Sequence, residues 1–367
     1  MAVKILCLSK YGCLGASSRL RTFQYLPYFD KLNLNLRIEI QSLLSDELLR
    51  ARYVTGRYNF SLLDAYIRRI HALGTKKYFD LLWIEKEALP WFPSSIELFL
   101  LGDVPYVLDY DDAIFHNYDQ HTYSWVRHMF GQRLDKLMAH ASLVVGGNNY
   151  LAQRARNAGA PWVEVVPTVI DLARYPYPLQ LAAAPTTASL IADGIPRIVW
   201  IGSPSTVQYL QLLREPLRQL AMSQPFALRV IGGGAVDMPG VQVEVLPWTE
   251  ATEVENISIC QVGVMPLLDS LWERGKCGYK LIQYMACGLP VVASNVGVNP
   301  EIVRNGENGY LASTPEDWVS ALAQLLQSPS LRAQMGAAGR RRVEDEYCIQ
   351  KTGPLMAQLL RTAAGRV

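Results

Sequence analysis

The sequence lacks the cysteine and histidine patterns that mark a structural metal site or a disulfide framework. It has six cysteines and five histidines in 367 residues, and no two cysteines form a C-x-x-C pair. Zinc sites and disulfide-stapled secreted domains depend on such spacings. We therefore expect free thiols in a reducing compartment and no bound metal ion. The cysteines are Cys7, Cys13, Cys260, Cys277, Cys287 and Cys348.

Long uncharged apolar runs are also absent. The most apolar stretch, residues 89–108, is interrupted by Glu97 and Asp103, and no window holds the roughly 18 apolar residues of a membrane-spanning helix. The apolar run at the start of the sequence is too short for a signal peptide. We therefore expect a cytoplasmic protein that does not span a membrane.

The chain has little net charge, but the charge is unevenly distributed. Lys and Arg number 35 and Asp and Glu 33, which gives a net charge of +2. This balance excludes a protein whose whole surface binds nucleic acid through excess positive charge. Residues 1–80, however, hold 13 basic and 6 acidic residues. This excess predicts either a peripheral contact with an anionic membrane or a solvated helical face. Its main contributors are Arg50, Arg52, Arg57, Arg68, Arg69, Lys76 and Lys77.

Two series of short apolar runs alternate with helical patterns such as 62–73 and 124–138. Strands alternating with helices favour parallel sheets with right-handed crossovers, so two series predict two doubly wound, Rossmann-like α/β domains. A stretch with five prolines, 167–196, is the predicted boundary between them. The predicted strands are 3–8, 80–84, 105–108, 141–146 and 163–166, then 197–201, 227–231, 241–245, 262–265 and 290–293.

Ligands of doubly wound domains bind where strands end and helices begin. After the first strand, Gly12 and Gly15 permit a turn, and Ser17 or Ser18 is a candidate cap for a helix over 19–29. The glycine spacing is not G-x-G-x-x-G. A loop that binds a phosphate or sugar and an ordinary turn both remain open.

Two later segments suggest an anion site. Ser203 before a proline is a candidate helix cap after strand 197–201. Arg274, Lys276 and Lys280 crowd a predicted helix start, where the helix dipole disfavours cations. A bound anion would offset that repulsion, and Gln283, on the same helix face, could bond a sugar hydroxyl. The alternative is surface lysines beside a packed glutamine.

The segment KLIQYMACGLPVVAS, which begins at Lys280, and the later NGENGYL at 305–311 resemble the donor half of GT-B glycosyltransferases of family 4, group 1. The resemblance implies two Rossmann-like domains facing an interdomain cleft, with a nucleotide-diphosphate sugar bound by the second. It implies transfer with retention of anomeric configuration and without a metal or other cofactor. The implied divisions are 1–172, 173–345 and a helix in 346–367 that crosses back.

The same resemblance assigns roles to individual residues. Lys280 would contact the diphosphate, and Gly202 and Ser203 would lie near the phosphates. Gly15 is a donor-binding candidate from its position in the loop after the first strand, not from the resemblance. Gln283 stands where the family has the second glutamate of its E-x7-E motif. The motif's first position is Gly275, and the nearest acidic residue is Glu273. The family's cations after the first donor-domain strand are missing, so Arg274 or Lys276 would compensate.

Carboxylates follow two strands of the first domain. Asp111 and Asp112 come after strand 105–108, and Glu85 follows strand 80–84. We interpret all three as candidate catalytic groups that orient a sugar or deprotonate an acceptor. The pair Asp109 and Asp111 also reads as a metal-binding D-x-D motif, but the doubly wound pattern around it argues against that. Helix caps and loop-ordering hydrogen bonds are the structural alternative.

The leading hypothesis is a metal-independent, retaining glycosyltransferase in polysaccharide or cell-surface glycan synthesis. Its donor would be a nucleotide-diphosphate sugar, and its acceptor a saccharide or lipid-linked saccharide. No nucleic acid is expected as a partner, and the protein is predicted to be cytoplasmic or peripheral at the membrane. Two alternatives remain open: a sugar-nucleotide epimerase on the same fold, and a non-catalytic saccharide-binding homologue.

Overall fold

The computed structural model describes residues 2–55, 61–177 and 194–365. The alanine- and threonine-rich part of the predicted linker, 182–188, lies outside the described residues. The chain forms two compact units. Unit 1 comprises Met1–Thr168, Arg274–Cys277 and Ile349–Val367, and unit 2 comprises Val169–Glu273 and Gly278–Cys348. The sequence predicts boundaries after 172 and 345 and places residues 274–277 in the second domain, so the observed units differ from the predicted ones at these positions.

Unit 1 is built on a six-stranded parallel sheet in the order β2-β1-β3-β4-β5-β6. Its inner strands are buried along their length, which explains their continuous apolar runs. The strand order reverses between β1 and β3, so loops leaving these neighbours diverge and open a crevice at their carboxyl ends. The strands are β1 Val3–Tyr11, β2 Leu36–Leu44, β3 Leu81–Glu85, β4 Tyr106–Tyr110, β5 Leu143–Gly146 and β6 Val163–Val165.

Helices cover this sheet. The predicted helix 124–138 is two helices, since the chain breaks near Gly131. The predicted helix 19–29 begins earlier, at Ala16, and includes a π-helical turn, Arg19–Phe23. The helices are Ala16–Ser18, Tyr25–Lys31, Asp46–Thr55, Ser61–Gly74, Ser94–Leu101, His116–Asp119, Ser124–Phe130, Arg133–His140, Asn149–Asn157 and Ile349–Ala363, with a 3₁₀ turn at Lys76–Tyr78.

Unit 2 is built on a second six-stranded parallel sheet, in the order β12-β11-β10-β7-β8-β9. Here the strand order reverses between β7 and β10, which places this unit's crevice after those two strands. The prediction of two doubly wound α/β domains is thereby confirmed. The strands are β7 Arg197–Ile201, β8 Ala227–Ile231, β9 Gln242–Leu246, β10 Val262–Met265, β11 Val291–Ser294 and β12 Gly309–Ala312.

The helices of unit 2 pack on both faces of its sheet, around two clusters of buried apolar side chains. A capping box starts one of them, because Thr314 and Asp317 each bond the other's backbone N–H. The helices are Arg214–Ala221, Glu253–Ser258, Leu271–Arg274, Tyr279–Ala286, Asn299–Ile302, Pro315–Gln327 and Pro329–Glu346, with 3₁₀ turns at Leu172–Arg174 and Val207–Leu213.

The basic residues of the first segment do not form one solvent-facing set. Arg69 is buried, and its guanidinium donates to the backbone oxygens of Ser9, Gln41 and Ala88. It therefore ties helix Ser61–Gly74 to β1 and β2. The side chains of Arg52 and Arg57 lie outside the described residues. Among the helices that the structure does describe, none is long and apolar enough to cross a membrane.

Close backbone packing inside unit 2 gives a stability prediction. A Cβ at Gly336 would lie 1.9 Å from the carbonyl oxygen of Gly288, so Gly336→Ala must push helix Pro329–Glu346 away. We expect the free energy of unfolding to fall by about 1–3 kcal/mol, measured by urea denaturation. Gly74→Ala is the control, because nothing lies within 4 Å of its Cβ position. An equal response of both variants would contradict the packing argument.

Candidate functional site

In unit 2, two loops meet beside the reversal point of the sheet. Gly202 directly follows β7, and Gly232–Gly234 directly follow β8. A Cβ on Gly232 would lie 2.6 Å from the carbonyl oxygen of Gly202, so the two loops are in backbone contact. Gly232 and Gly234 have positive φ angles, 78° each, which glycine adopts without strain. The structure therefore adds this glycine triplet, which the sequence analysis did not use, to the candidate site.

Lys280 belongs to the same edge of the sheet. It is the second residue of helix Tyr279–Ala286, which begins after Gly278 with a left-handed φ of 66°. The Lys280 side chain is half-buried, and its Nζ lies 5.5 Å from the centre of the Trp200 indole ring. That ring also underlies Gly202, since a Cβ there would be 2.5 Å from it. The ammonium at the helix start and the two glycine loops thus lie around one indole ring.

The predicted cap at Ser203 is wrong. Residues 203–206 form a turn, in which Thr206 N–H donates to the Ser203 carbonyl oxygen at 2.9 Å. The following helix is a 3₁₀ helix that begins only at Val207, without a side-chain cap. Thr206 Oγ1 accepts a hydrogen bond from the Ser203 N–H at 3.2 Å. The turn thereby satisfies locally the groups that a cap would have used.

Gln283 is buried and bonded within unit 2. Its Nε2 donates to the Tyr175 hydroxyl at 3.3 Å, and that hydroxyl donates to Glu253 Oε1 at 3.0 Å. Glu253 also accepts from Arg174 and Trp248. A glutamate at position 283 would offer Tyr175 an acceptor where it needs a donor. This chain of hydrogen bonds therefore accounts for the neutral side chain at the second position of the E-x7-E motif.

The idea that three cations crowd one helix start is also wrong. Arg274 lies in the last turn of helix Leu271–Arg274, where the helix dipole favours a cation. Arg274 and Lys276 belong to unit 1, held by Asn148, whose Nδ2 donates to the Lys276 carbonyl oxygen at 2.9 Å. Only Lys280 lies in the first turn of Tyr279–Ala286. Sequence spacing alone could not show that residues 274–277 leave unit 2.

Gly275 stands at the first motif position for a steric reason. A Cβ there would lie 2.4 Å from the Ala113 Cβ and 2.7 Å from the Ala113 nitrogen. No side chain fits, so the carboxylate cannot be at this position. The nearest acidic residue, Glu273, is buried in unit 2 and accepts from Tyr209 and Ser270. Both carboxylate oxygens of Glu273 therefore accept hydrogen bonds from neighbouring residues of unit 2.

In unit 1 the carboxyl ends of β3 and β4 surround a buried ammonium that the sequence analysis did not single out. Lys86 Nζ lies 2.8 Å from Asp111 Oδ1, 3.5 Å from Asp112 Oδ2 and 2.8 Å from Ser17 Oγ. Lys86 adopts a φ of 65°, which is uncommon for a residue with a side chain. Its N–H donates to the Asp109 carbonyl oxygen at 2.8 Å. The backbone is thus held in the conformation that directs the ammonium at both carboxylates.

The three candidate carboxylates differ in their exposure to solvent. Glu85 is 1% exposed, and the side chains of Asp111 and Asp112 are 11% and 30% exposed. Glu85 Oε2 accepts from Ser18 Oγ and from the Lys10 N–H, so it orders the loop after β1. Ser18 is therefore a partner of Glu85 and not the predicted helix cap. Asp112 is the carboxylate best placed to meet a ligand.

The pKa values of these groups are pushed in opposite directions. Burial alone would raise the pKa of Asp111, but the Lys86 ammonium outweighs it and holds that pKa below its ordinary value. Burial and the Asp111 charge raise the pKa of Asp112, which Lys86 and Lys276 only partly offset. Burial also raises the pKa of Glu85. Asp111 is thus held as the anion, and Asp112 binds a proton more readily than Asp111 does.

The other predicted features of this loop have structural roles. A Cβ on Gly15 would lie 2.3 Å from the Tyr11 Cβ, so glycine is needed there for packing. Asp109, the first residue of the D-x-D pattern, is buried and paired with Arg21 at 2.6 Å. The arginine also donates to the Val166 carbonyl oxygen. Asp109 and Asp111 are thus each neutralised by a different cation.

Comparison with solved structures identifies the fold class. The chain is similar to sucrose-phosphate synthase from Thermosynechococcus elongatus, with a TM-score of 0.71 and 14% identity over all of both chains. It is similar to Anabaena HepE in complex with UDP, with a TM-score of 0.69 and 15% identity over 98% of this chain and 100% of that one. At these identities the likeness establishes the fold: two Rossmann-like domains of the GT-B type.

A family model matches part of the chain. Residues 195–328 match the model of the family described as Glycosyl transferases group 1, which confirms the resemblance predicted from the motifs. A D-inositol 3-phosphate glycosyltransferase from Rhodococcus jostii is 41% identical over 70 residues, 18% of this chain and 16% of that protein. An alpha-maltose-1-phosphate synthase from Mycolicibacterium smegmatis is 29% identical over 168 residues, 44% of this chain and 38% of that protein. The aligned segments thus span well under half of these relatives.

The buried ammonium gives a pH-dependent stability prediction. Lys86→Met leaves Asp111 and Asp112 without their cation, which should lower the free energy of unfolding by about 3–5 kcal/mol near neutral pH. The lowered pKa of Asp111 stabilises the folded protein above the unfolded value of about 4 and ceases to do so as pH falls through the folded pKa. The deficit should therefore shrink in acid.

Urea denaturation from pH 3 to pH 8 measures this deficit. Lys77→Met, at an exposed lysine, is the matched control and should remain within about 0.5 kcal/mol of the wild type at every pH. A Lys86→Met deficit that stays constant or grows in acid would contradict the ion-pair account.

Proposed function

We propose that this protein is a metal-independent, retaining glycosyltransferase that transfers a sugar from a nucleotide-diphosphate sugar to a saccharide or glycolipid acceptor. The observation that carries the proposal is Lys280, half-buried over Trp200 at a helix start and beside the glycine loops after β7 and β8. This cluster lies within the segment that matches the glycosyltransferase family model.

The donor would bind in unit 2 through charge and backbone amides. Glycine loops permit close approach of phosphate oxygens, and the start of helix Tyr279–Ala286 contributes its dipole. The helix alone supplies only about 0.3–1 kcal/mol, so the full charge of Lys280 is needed to stabilise a departing diphosphate. Solved structures of the similar Anabaena HepE contain UDP and UDP-glucose, which supports a donor of this class.

The acceptor would be activated in unit 1. In the reaction the bond between the sugar and the diphosphate breaks, the diphosphate leaves with the electron pair, and the acceptor oxygen bonds to the sugar. The acceptor hydroxyl loses a proton, and Asp112 is the candidate to orient that hydroxyl or take the proton, since it is the most exposed carboxylate of the cluster and its pKa is raised. Asp111, Lys86 and Glu85 would position it.

The donor set in this proposal differs from the one predicted from the sequence. It keeps Lys280 and Gly202 and adds the glycines after β8. Gln283 is left out, because its side chain is buried and donates to Tyr175. Ser203 contributes through its turn. Arg274 and Lys276 are assigned to unit 1, where Lys276 offsets the charge of Asp112. A glycolipid acceptor remains within the proposal because one similar relative, from Corynebacterium glutamicum, is named as a mannosyltransferase acting on a phosphatidylinositol monomannoside.

Donor binding is tested by thermal shift. UDP-, GDP-, ADP- and dTDP-sugars are screened without added metal and with a chelator, and one of them should raise the melting temperature of the wild type, since a ligand that binds only the folded state stabilises it. Lys280→Ala should lose that shift, because a charge-assisted bond to the diphosphate is worth roughly 1.5–3 kcal/mol. Lys351→Ala, at an exposed lysine, should keep it.

Two outcomes would count against this function. A wild-type shift retained in Lys280→Ala would remove the lysine from the donor site. Conversion of the bound donor to an isomer without acceptor, with no release of nucleoside diphosphate, would favour the epimerase. The anomeric configuration of the transferred sugar, read by NMR of the product, decides between retention and inversion.

A further inference from the structure

Large apolar side chains that face solvent are concentrated in one part of unit 1. Among the described residues, ten of the eighteen exposed large apolar side chains lie between positions 63 and 129. We call these ten residues the apolar surface. They are Leu63, Ile67, Ile70, Tyr78, Trp91, Ile96, Phe99, Tyr123, Trp125 and Met129. Single exposed apolar residues are ordinary, but a contiguous group of this size usually marks an interaction site.

Helix Ser61–Gly74 is apolar on two sides. Ala65, Arg69 and Leu73 are buried at a spacing of four residues. Leu63 and Ile67, with Ile70 one turn further on, form a second row that faces solvent. A surface helix normally presents polar side chains on that side. The second row is therefore unexplained by the packing of unit 1.

The segment that follows β3 packs against the exposed side of helix Ser61–Gly74. Tyr66, on the same helix stripe as Leu63 and Ile70, stacks on Phe92 at 5.5 Å and donates its hydroxyl hydrogen to the Pro90 carbonyl oxygen. Trp91, between these two partners, is exposed and has a φ of 64°. Its indole packs edge-on against the Tyr118 ring at 4.9 Å and remains 49% exposed, so it adds apolar area next to this helix.

Two further helices continue the surface. Phe99 is 81% exposed, one turn after Ile96 on helix Ser94–Leu101. The Trp91 indole lies within 6.3 Å of the ring centre of Phe130, which belongs to the helix that exposes Trp125 and Met129 at a spacing of four. Eight of the ten residues of the apolar surface thus lie on three helices and the segment between the first two of them.

The charges around this region have one predominant sign. Between residues 61 and 140 of the described chain, the exposed acidic residues are Asp64 and Asp103, and Asp64 is paired with Arg68. Exposed cations outnumber them. They are Arg68, Lys77, Arg127 and Lys136. Tryptophan and tyrosine beside lysine and arginine suit the interface of an anionic lipid bilayer, where the rings enter the headgroup region and the cations meet lipid phosphates.

We propose that the apolar surface of unit 1 docks on an anionic lipid bilayer. A second copy of the chain is the less suitable occupant, because a symmetric dimer through this region would bring the same cations of both copies together. The inference does not depend on the proposed function, but it would bring unit 1 to a glycolipid acceptor. It also replaces the predicted basic segment, in which Arg69 is buried, by a defined set of residues.

Vesicle co-sedimentation tests the docking. The wild type should bind phosphatidylcholine vesicles that contain phosphatidylglycerol, more weakly at high salt, and should bind pure phosphatidylcholine vesicles poorly. The double variant Phe99→Ser, Trp125→Ser should bind the anionic vesicles about 10-fold or more weakly, since it removes two exposed aromatic side chains that would enter the headgroup region. Met222→Ser, Val245→Ser, which changes two exposed apolar residues of unit 2, should bind as the wild type does.

A second variant separates charge from apolar contact. Arg68→Glu, Arg127→Glu should weaken binding to the anionic vesicles at low salt and differ less from the wild type at high salt. Melting temperatures near that of the wild type show that the variants are folded. The proposal is overturned by absence of wild-type binding, by equal binding of the wild type and the Phe99, Trp125 variant, or by equal loss in the unit 2 control. Sedimentation velocity that shows a dimer lost in the Phe99, Trp125 variant, without vesicle binding, would assign the surface to a second copy.

Discussion

The proposed function depends on the interaction of one ammonium group with an anion that the helix dipole also attracts. Lys280 lies in the first turn of its helix, where a cation on its own is disfavoured. The chain nevertheless keeps it there, half-buried against Trp200 and beside two loops of glycine. With a diphosphate bound, the charge, the helix dipole and the backbone amides would act on the same group.

The two units differ in the groups that lie around their main cation. Unit 2 offers a cation and glycine loops, which suits a ligand that brings negative charge. Unit 1 buries its own cation, Lys86, among carboxylates and leaves Asp112 partly exposed. The two departures from the E-x7-E motif each have a local cause. Gly275 has no room for a side chain, and Gln283 donates to Tyr175, where a carboxylate could not.

Much of the fold could be predicted because buried parallel strands are short apolar runs between helical patterns. Ten of the twelve strands were found in this way. The two missed strands, β2 and β12, lie at sheet edges, where β2 is only partly buried and carries polar residues. The site was less predictable. Lys280 could be found from its charge at a helix start, but the pairing of Lys86 with Asp111 joins separate strands, and no local pattern shows it.

A crystal structure with a nucleoside diphosphate bound tests the central claim most directly. The account predicts that the diphosphate lies at the reversal point of the unit 2 sheet, with a phosphate oxygen within hydrogen-bond distance of Lys280 Nζ and its other oxygens near the backbone of Gly202 and Gly232–Gly234. A diphosphate bound elsewhere, with Lys280 still against Trp200 and remote from any phosphate, would contradict it.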